Sequence, residues 1–338
     1  EAANAYQAQD LLNQDLREFD FSGKNLMGKR FENCDLRRAK FAGSILTKAE
    51  FVNSDLTGVD FSQSRLEQVK FIGCNLERSR FNQSSLLKAQ FTGDNLWQAG
   101  FIKSDLTGAV FDMLNLDHVY CYRSKLSGVF FGLQELARES VFVLCDLKNT
   151  IFNGSEAETA ITNCDFRNAD LSGARFSVAA IDGSNFTGAK LIQADFSPCN
   201  LISRCNFKHS SCMGLNLAGV TFEESEFSWV DLSWLKVMTG VKFVECDFTH
   251  ANLSKFDFGV GYRNTNKMIF TNLSNCRMEQ SDFTASKILM TNFNGTKIKD
   301  SLFTKEQLEC IELSAIQLRE VSVADETMDS GTDEFNRL

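Results

Sequence analysis

Cysteine and histidine are the residue types of this chain that could do the most chemistry. The sequence contains eleven Cys and three His, enough for a metal centre or for a thiol nucleophile with a histidine base. No Cys-x-x-Cys pair occurs, and His118, His209 and His250 are far apart in the sequence. We therefore predict no catalytic, cofactor-binding or metal site. We interpret the cysteines as small buried apolar side chains, with Cys310 as the one that faces outward.

Phenylalanine dominates the aromatic residues. Phe occurs 31 times, against four Tyr and three Trp. This concentration of one residue type indicates a structural position that recurs along the chain. The charge is less informative, because nine acidic residues and two arginines between Glu306 and Leu338 account for most of the net charge of −9. Most of the excess negative charge therefore lies in the C-terminal segment.

The recurring position has a period of five residues. From Leu16 to Phe131 every fifth residue is Leu or Phe in strict alternation, except Cys121. A helix would spread such positions around its surface, and a flat strand would point them to opposite faces. A chain that turns a corner every five residues instead directs each central residue into one interior. Two residues before each centre the side chain is usually small, as at Ala39 and Ser44, which fills a narrow interior.

The corners also have a chemical signature. The residue before a central Leu is often Asp or Asn, whose side chain can bond to nearby backbone. Residues 104–108 have the sequence Ser-Asp-Leu-Thr-Gly, and residues 169–173 have Ala-Asp-Leu-Ser-Gly. With these motifs nearly the whole chain resembles the pentapeptide-repeat family. The resemblance implies an all-β fold, a right-handed quadrilateral parallel β-helix with four pentapeptides in each coil. Alternation would then stack Phe on two opposite sides and Leu on the other two.

The repeat frame gives a domain organisation. We predict an N-terminal cap over residues 1–12, the β-helix over 13–323 in about fifteen coils at roughly 4.8 Å spacing, and an acidic tail over 324–338. Residues 304–323 are partly helix-prone and could close the last coil. Slips of the frame predict breaks near residues 132–140, 154–160, 233–240 and 259–267.

Outward apolar residues, loops at the breaks and the acidic tail are the candidates for binding. Ile102 and Tyr122 should stack on one side because they are one coil apart, and so should Val52 and Ile72. Scattered apolar residues on a β surface are the alternative interpretation. The candidate protein-binding residues are Trp97, Tyr122, Trp229, Trp234, Tyr262, Asp333, Glu334 and Phe335.

A regular rod lacks the concave, water-excluding site that an enzyme needs. We therefore predict a non-enzymatic protein–protein interaction scaffold, monomeric or dimerised end to end. The sequence indicates no nucleic-acid partner, no small-molecule substrate and no membrane association. Its long rod and acidic tail are similar to those of pentapeptide-repeat effectors that enteric bacteria inject into host cells by type III secretion. That resemblance implies a host protein as partner and the host cell as location, with the bacterial cytoplasm as the alternative.

Two other functions remain open at this point. The chain is similar to quinolone-resistance rods of the same family, which implies a DNA mimic that binds gyrase. It is also similar to the β-helix domain of pentapeptide-repeat ubiquitin ligases of the HECT-like type, which would require a catalytic domain elsewhere in the protein.

Overall fold

The five-residue repeat winds the chain into a right-handed parallel β-helix of about 14 turns, which confirms the predicted fold class. Each turn has four sides, numbered here faces 1 to 4 after their central residues in the first turn, Leu11, Leu16, Phe21 and Leu26. The structure is a computed structural model. It describes residues 10–134, 136–154, 159–233, 235, 240–254, 266–269, 271–284 and 286–324.

Short parallel strands form on three faces, and we number them along the chain. The nine-stranded sheet on face 1 consists of β1 (Leu11–Leu12), β2 (Arg30–Glu32), β3 (Glu50–Val52), β4 (Lys70–Ile72), β5 (Gln90–Thr92), β7 (Val110–Leu114), β9 (Phe130–Leu133), β12 (Ile151–Gly154) and β14 (Arg175–Ser177). The three-stranded sheet on face 3 consists of β6 (Gly100–Ile102), β8 (Tyr120–Tyr122) and β11 (Val141–Val143). The eight-stranded sheet on face 2 consists of β10 (Leu136–Arg138), β13 (Ala160–Thr162), β15 (Ala180–Asp182), β16 (Leu201–Ser203), β17 (Thr221–Glu223), β18 (Lys242–Val244), β19 (Asn266–Ile269) and β20 (Ser286–Leu289).

Two short helices close the C-terminal end of the described rod. The elements there are β21 (Leu302–Phe303), α1 (Lys305–Cys310), α2 (Ala315–Glu320) and β22 (Ser322–Val323). Each helix begins with a capping box, in which Gln307 or Gln317 bonds back to the residue before the helix. The Gln317 side chain also donates to the carbonyl of Phe293 at 2.9 Å, so the cap satisfies carbonyls of the turn beneath. Within the described residues, neither helix is long and apolar enough to cross a membrane.

At the N-terminal end, Leu11 and Leu12 form β1 and pair in register with Phe31 and Glu32 of β2. The stack of strands therefore begins inside the segment that the sequence assigns to the N-terminal cap.

The residue before a centre contributes to whether a side of the coil is a turn or a strand. Asp55 precedes a central Leu, and its Oδ1 accepts the backbone N–H of Thr57 at 3.0 Å, which holds a tight turn. This confirms the predicted role of Asp and Asn at the corners. On face 3, Tyr120 and Val141 take that position in β8 and β11. Aromatic and β-branched side chains favour extended backbone, so this part of face 3 is a flat sheet.

The interior is built from two stacked columns of Phe rings. On face 1 the rings of Phe31 and Phe51 are parallel at a centroid distance of 4.7 Å, and on face 3 Phe21 and Phe41 stack at the same distance. The two columns meet edge to face, as Phe31 meets Phe41 at 5.8 Å. Stacking of Phe on Phe is thereby confirmed, and offset and perpendicular ring contacts both add to the burial of apolar surface.

The Phe column changes face in the second half of the rod. Face 1 holds Phe196 in one turn and Leu217 in the next, whereas face 2 gains Phe222 and Phe243, whose rings stack at 5.3 Å. Phe222 keeps an edge-to-face contact with Phe227 of face 3, at 5.2 Å. The strict pattern of Phe on two opposite sides is therefore interrupted at Leu217. It returns near the C-terminal end, where Phe283 and Phe303 of face 1 stack at 4.6 Å.

The frame breaks that the structure describes lie at one corner of the coil. The break near 132–140 joins β9 on face 1 to β10 on face 2, with Ala137 buried at the new centre. The break near 154–160 joins β12 to β13 across the same corner, although residues 155–158 are not described. The breaks predicted at 233–240 and 259–267 lie largely outside the described residues.

Candidate protein-binding surface

The flat sheet on face 3 presents aromatic and aliphatic side chains on three consecutive turns. Its register places Ile102 beside Tyr122 and Tyr122 beside Val143 in one outward row, and Tyr120 beside Val141 in the other. Tyr120 and Leu144 are each 41% exposed. We call this surface the face 3 patch, and it consists of Trp97, Ile102, Tyr120, Tyr122, Val141, Val143 and Leu144.

Trp97 lies at the corner that leads from face 2 into the patch. The Arg78 guanidinium carbon is 5.1 Å from the centre of the Trp97 ring, and the centre of the His118 ring, on the next turn, is 5.9 Å from it. His118 Nε2 is in turn 3.1 Å from a carboxylate oxygen of Glu139. These contacts with a cation and an aromatic ring restrict the rotation of the indole, which lowers the entropy that Trp97 would lose on binding a partner.

The opposite edge of the patch carries positive charge. The Arg123 guanidinium carbon is 5.3 Å from the centre of the Tyr122 ring. Neither Arg123 nor Lys103 of the turn beneath forms an ion pair with a described residue. Other cations around the patch are paired, Arg78 with Glu77, Arg80 with Asp60, Arg138 with Asp117 and Arg167 with Asp165. The free charge at this surface is therefore concentrated beside Tyr122.

A second exposed aromatic group lies further along the rod. Trp229 is 54% exposed, and its ring is 4.3 Å from that of His250 and 6.1 Å from that of His209. We call these three residues the Trp229 column. The sequence places the three histidines far apart and predicted no site that uses them. It missed that two of them enclose Trp229, although spacings of 20 and 21 residues, one turn each, were the available signal.

The structure brings together two of the predicted binding residues. Trp97 and Tyr122 both belong to the face 3 patch, whereas Trp229 lies on later turns. The remaining candidates, Trp234, Tyr262, Asp333, Glu334 and Phe335, are outside the described residues.

Tyr120 and Leu144 were not singled out from the sequence, although their positions beside a repeat centre could have identified them. The predicted stacking of Ile102 on Tyr122 and of Val52 on Ile72 is confirmed by the strand register. Val52 itself is only 9% exposed, so it contributes little outward surface.

The cysteines have the environment predicted for them. Ten of the eleven are buried and Cys310 is exposed. Burial raises the pKa of the thiols of Cys74 and Cys145 to about 12, so they stay protonated and poorly nucleophilic at neutral pH. Among the described residues, no three His, Cys, Asp or Glu side chains come close enough to hold a metal ion.

One buried carboxyl group, that of Asp94, was not predicted from the sequence. Asp94 is 5% exposed and occupies an inward position that is Ser or Cys in the turns beneath. Its Oδ1 accepts the N–H of Cys74 at 2.6 Å and its Oδ2 accepts the N–H of Thr92 at 2.9 Å. Burial raises the pKa of this carboxyl to about 7. It borders an open depression of about 360 Å³ that Met113 and Gln134 also line.

Two family models match the chain. One, a pentapeptide repeat region, matches residues 24–101 and 44–131, and the other, pentapeptide repeats in eight copies, matches residues 161–197 and 267–300. Together they account for more than half of the sequence. The chain therefore belongs to the pentapeptide-repeat family.

Solved structures of the same class were also found. HetL, a pentapeptide repeat protein involved in heterocyst differentiation regulation in the cyanobacterium Nostoc, is 15% identical over 89% of this chain and 94% of its own, with a TM-score of 0.23. A pentapeptide repeat protein of the Arabidopsis thaliana thylakoid lumen is 35% identical over 31% of this chain and 69% of its own, with a TM-score of 0.25. QnrB1, a plasmid-mediated fluoroquinolone resistance protein, is 17% identical over 64% of this chain and 89% of its own, with a TM-score of 0.24. Because these scores are low, the three structures carry no argument about function. No curated protein matches the chain.

Proposed function

We propose that this protein is a non-enzymatic scaffold that binds another protein through the face 3 patch. The observation that carries the proposal is the contiguous set of Trp, Tyr, Ile, Val and Leu side chains on three consecutive turns. Tyrosine, tryptophan and arginine are the residues that most often dominate protein–protein binding energy, and this surface contains all three.

The rest of the coil makes this surface rigid. The centres beneath it, Phe101, Cys121 and Phe142, are each at most 2% exposed, and every strand of the sheet is bonded to the turns above and below. The outward side chains therefore lose little backbone entropy when a partner docks, which favours binding. Burial raises the pKa of the neighbouring Cys121 thiol, so this thiol adds no nucleophile to the surface.

The test compares substitutions on two faces of the rod. The variant Tyr120→Ala with Tyr122→Ala removes the centre of the patch, and the matched control Ile72→Ala with Ile151→Ala removes two exposed apolar residues of face 1. Photo-crosslinking followed by mass spectrometry, in bacterial and in host lysates, measures which proteins each variant captures. We expect the patch variant to lose a partner that the control retains. Capture of the same proteins by both variants would contradict the proposal.

A finer proposal concerns where this scaffold acts and which kind of protein it binds. We propose that it is a bacterial effector delivered into a host cell, where residues 324–338 and the loops at the frame breaks add contacts to a host protein. The acidic sequence of that segment supports the proposal. A translocation reporter fused to the full chain tests delivery, and deletion of residues 325–338 tests capture with the rod kept intact. Absence of translocation, or unchanged capture after the deletion, would remove this finer proposal and leave the scaffold function standing.

The DNA-mimic alternative has less support from the described surface. A mimic of DNA needs rows of unpaired carboxylates, but Glu50 on face 1 lies between Arg30 at 2.7 Å and Lys70 at 2.9 Å. An assay of gyrase supercoiling decides this alternative directly. The HECT-like ubiquitin ligase alternative remains a prediction, and the full reading frame of the gene would test it.

A further inference from the structure

We propose that the face 3 patch binds a linear acidic segment of its partner, and that a notch at Gly100 receives an apolar side chain of that segment. The inference rests on the proposed function, because it names the chemistry of the partner for the same surface. Three features of the patch carry it: a missing side chain, a row of aromatic and aliphatic neighbours, and two cations that have no ion pair with a described residue.

Gly100 creates a gap in an otherwise continuous outward row. The strand register places it between Arg80 of the turn beneath and Tyr120 of the turn above. Its backbone does not have the left-handed conformation that favours glycine, and within 4 Å a Cβ there would meet only Asn82 Oδ1, at 3.8 Å. The fold could therefore accept a larger residue at this position. Glycine inside a strand weakens it and often marks a close approach by another molecule.

The notch has apolar and aromatic surroundings. Tyr120 lies directly above it, Ile102 is on the same strand, and Trp97 lies three residues earlier at the adjoining corner. A Leu, Met or Phe side chain that filled the notch would bury its surface against these groups. Burial of apolar surface of this size favours binding, and a central apolar anchor of this kind is typical of a protein interface.

Two positively charged side chains form the other half of the proposed binding site. Lys103 and Arg123 lie on adjacent turns at the far edge of face 3, and neither has an ion pair with a described residue. The ring of Tyr122 holds the Arg123 guanidinium in place at 5.3 Å. A carboxylate of the partner would bind these two cations with charge-assisted hydrogen bonds.

The distance between the notch at Gly100 and the cation Lys103 sets the spacing of the two recognised residues in the partner segment. Gly100 and Lys103 are three residues apart along one side of the coil, a span of roughly 10 Å in extended backbone. A partner segment in the polyproline II conformation has three residues per turn and rises about 3.1 Å per residue, so its residues three apart lie on the same side and cover this span. The partner segment therefore carries an apolar residue and an Asp or Glu three positions away.

The experiment uses a library of random peptides displayed on phage and selected against the purified full chain. We expect enrichment of peptides with an apolar residue and an acidic residue three positions apart. The variant Gly100→Val should weaken the selected peptides by roughly tenfold or more, since it fills the notch. The variant Lys103→Glu with Arg123→Glu should abolish their binding and select basic residues at the acidic position.

Controls separate this inference from loss of fold and from the proposed function. Ala180→Val makes a comparable change at the equivalent strand position on face 2, and it should leave peptide binding unchanged. Thermal unfolding should show Gly100→Val to be at least as stable as the natural chain. Selected peptides that need Tyr120 but lack the acidic residue, or that bind the Gly100→Val variant equally well, would overturn the inference and leave the scaffold proposal intact. A selection in which no peptide depends on Tyr120 would count against both.

Discussion

The carboxylate of Asp94 accepts a hydrogen bond from the backbone N–H of Cys74 at 2.6 Å. In other turns a hydroxyl group serves the same purpose, as Ser54 does for the N–H of Cys34 at 3.0 Å. Asp94 therefore fills a structural position with a group that can carry a charge. Because the position is buried, the charge is unfavourable there.

Replacing Asp94 with Ser is expected to stabilise the protein above pH 7 and to flatten its pH dependence. Burial raises the pKa of Asp94 from 3.8 to about 7 in the folded chain. Between about pH 4 and pH 7 the folded state therefore holds a proton that the unfolded state has released, so the free energy of unfolding falls as the pH rises through this window. The full effect is on the order of 4 kcal/mol at most. Urea unfolding between pH 4 and pH 8 measures it.

The variant Ser54→Ala is the matched control for this effect. It removes the same kind of acceptor from Cys34 but changes no titratable group, so it should lower stability by about 1–2 kcal/mol at every pH. A natural chain whose stability is level between pH 4 and pH 8 would show that Asp94 titrates as an ordinary exposed carboxyl group.

Two phenylalanines on face 1 should respond very differently to truncation. The ring of Phe91 faces inward and stacks between Phe71 at 5.0 Å and Phe111 at 4.5 Å. Phe130 faces outward and is only half-buried. Phe91→Ala should lower the free energy of unfolding by about 3–5 kcal/mol through the cavity that it leaves, and Phe130→Ala by about 1 kcal/mol or less. Equal losses in urea unfolding would show that the inward column does not carry the stability of these turns.

Thiol reactivity should distinguish Cys310 from the other ten cysteines. It is the exposed one, while burial raises the pKa of thiols such as Cys199 and Cys246 to about 12. A thiol reagent at pH 7.5 should therefore modify one cysteine rapidly in the folded chain and all of them in urea. Cys310→Ser should abolish the rapid phase. Rapid modification of further cysteines would mean that the interior of the coil opens easily.

The fold could be predicted from the sequence because its determinants are local. A pentapeptide centre is identified by its own residue type, and a corner by an Asp or Asn such as Asp55 that bonds two residues ahead. Neither feature requires knowledge of distant contacts. The period therefore predicted a chain that turns a corner every five residues, and the resemblance to the pentapeptide-repeat family implied the four-sided coil and the stacking of Phe on Phe.

The candidate site could be predicted only in part because it depends on the alignment of turns. Trp97 and Tyr122 were identified as outward residues from the sequence. Their place in one patch depends on Tyr120 and Val141, which favour the flat sheet that face 3 forms over three consecutive turns. Across each frame break the neighbours in adjacent turns are no longer 20 residues apart. For the same reason the change of the Phe column at Leu217 was not foreseen.

Gln317 provides a test of how the rod ends. Its side-chain amide donates to the carbonyl of Phe293 at 2.9 Å and to that of Thr296 at 2.8 Å, and its backbone N–H donates to the Ser314 hydroxyl at 3.3 Å. Gln317→Ala should leave two nearly buried carbonyl groups without these donors and lower the free energy of unfolding by about 1–3 kcal/mol.

In a solenoid, each turn contacts only its neighbours, so loss of this cap should loosen the last turns and leave the face 3 patch unaffected. Hydrogen exchange should therefore accelerate at residues 286–303 and remain unchanged at residues 100–143. Arg319→Ala, on the exposed side of the same helix, is the control and should change neither region. Faster exchange along the whole rod would instead show that the turns unfold as one cooperative unit.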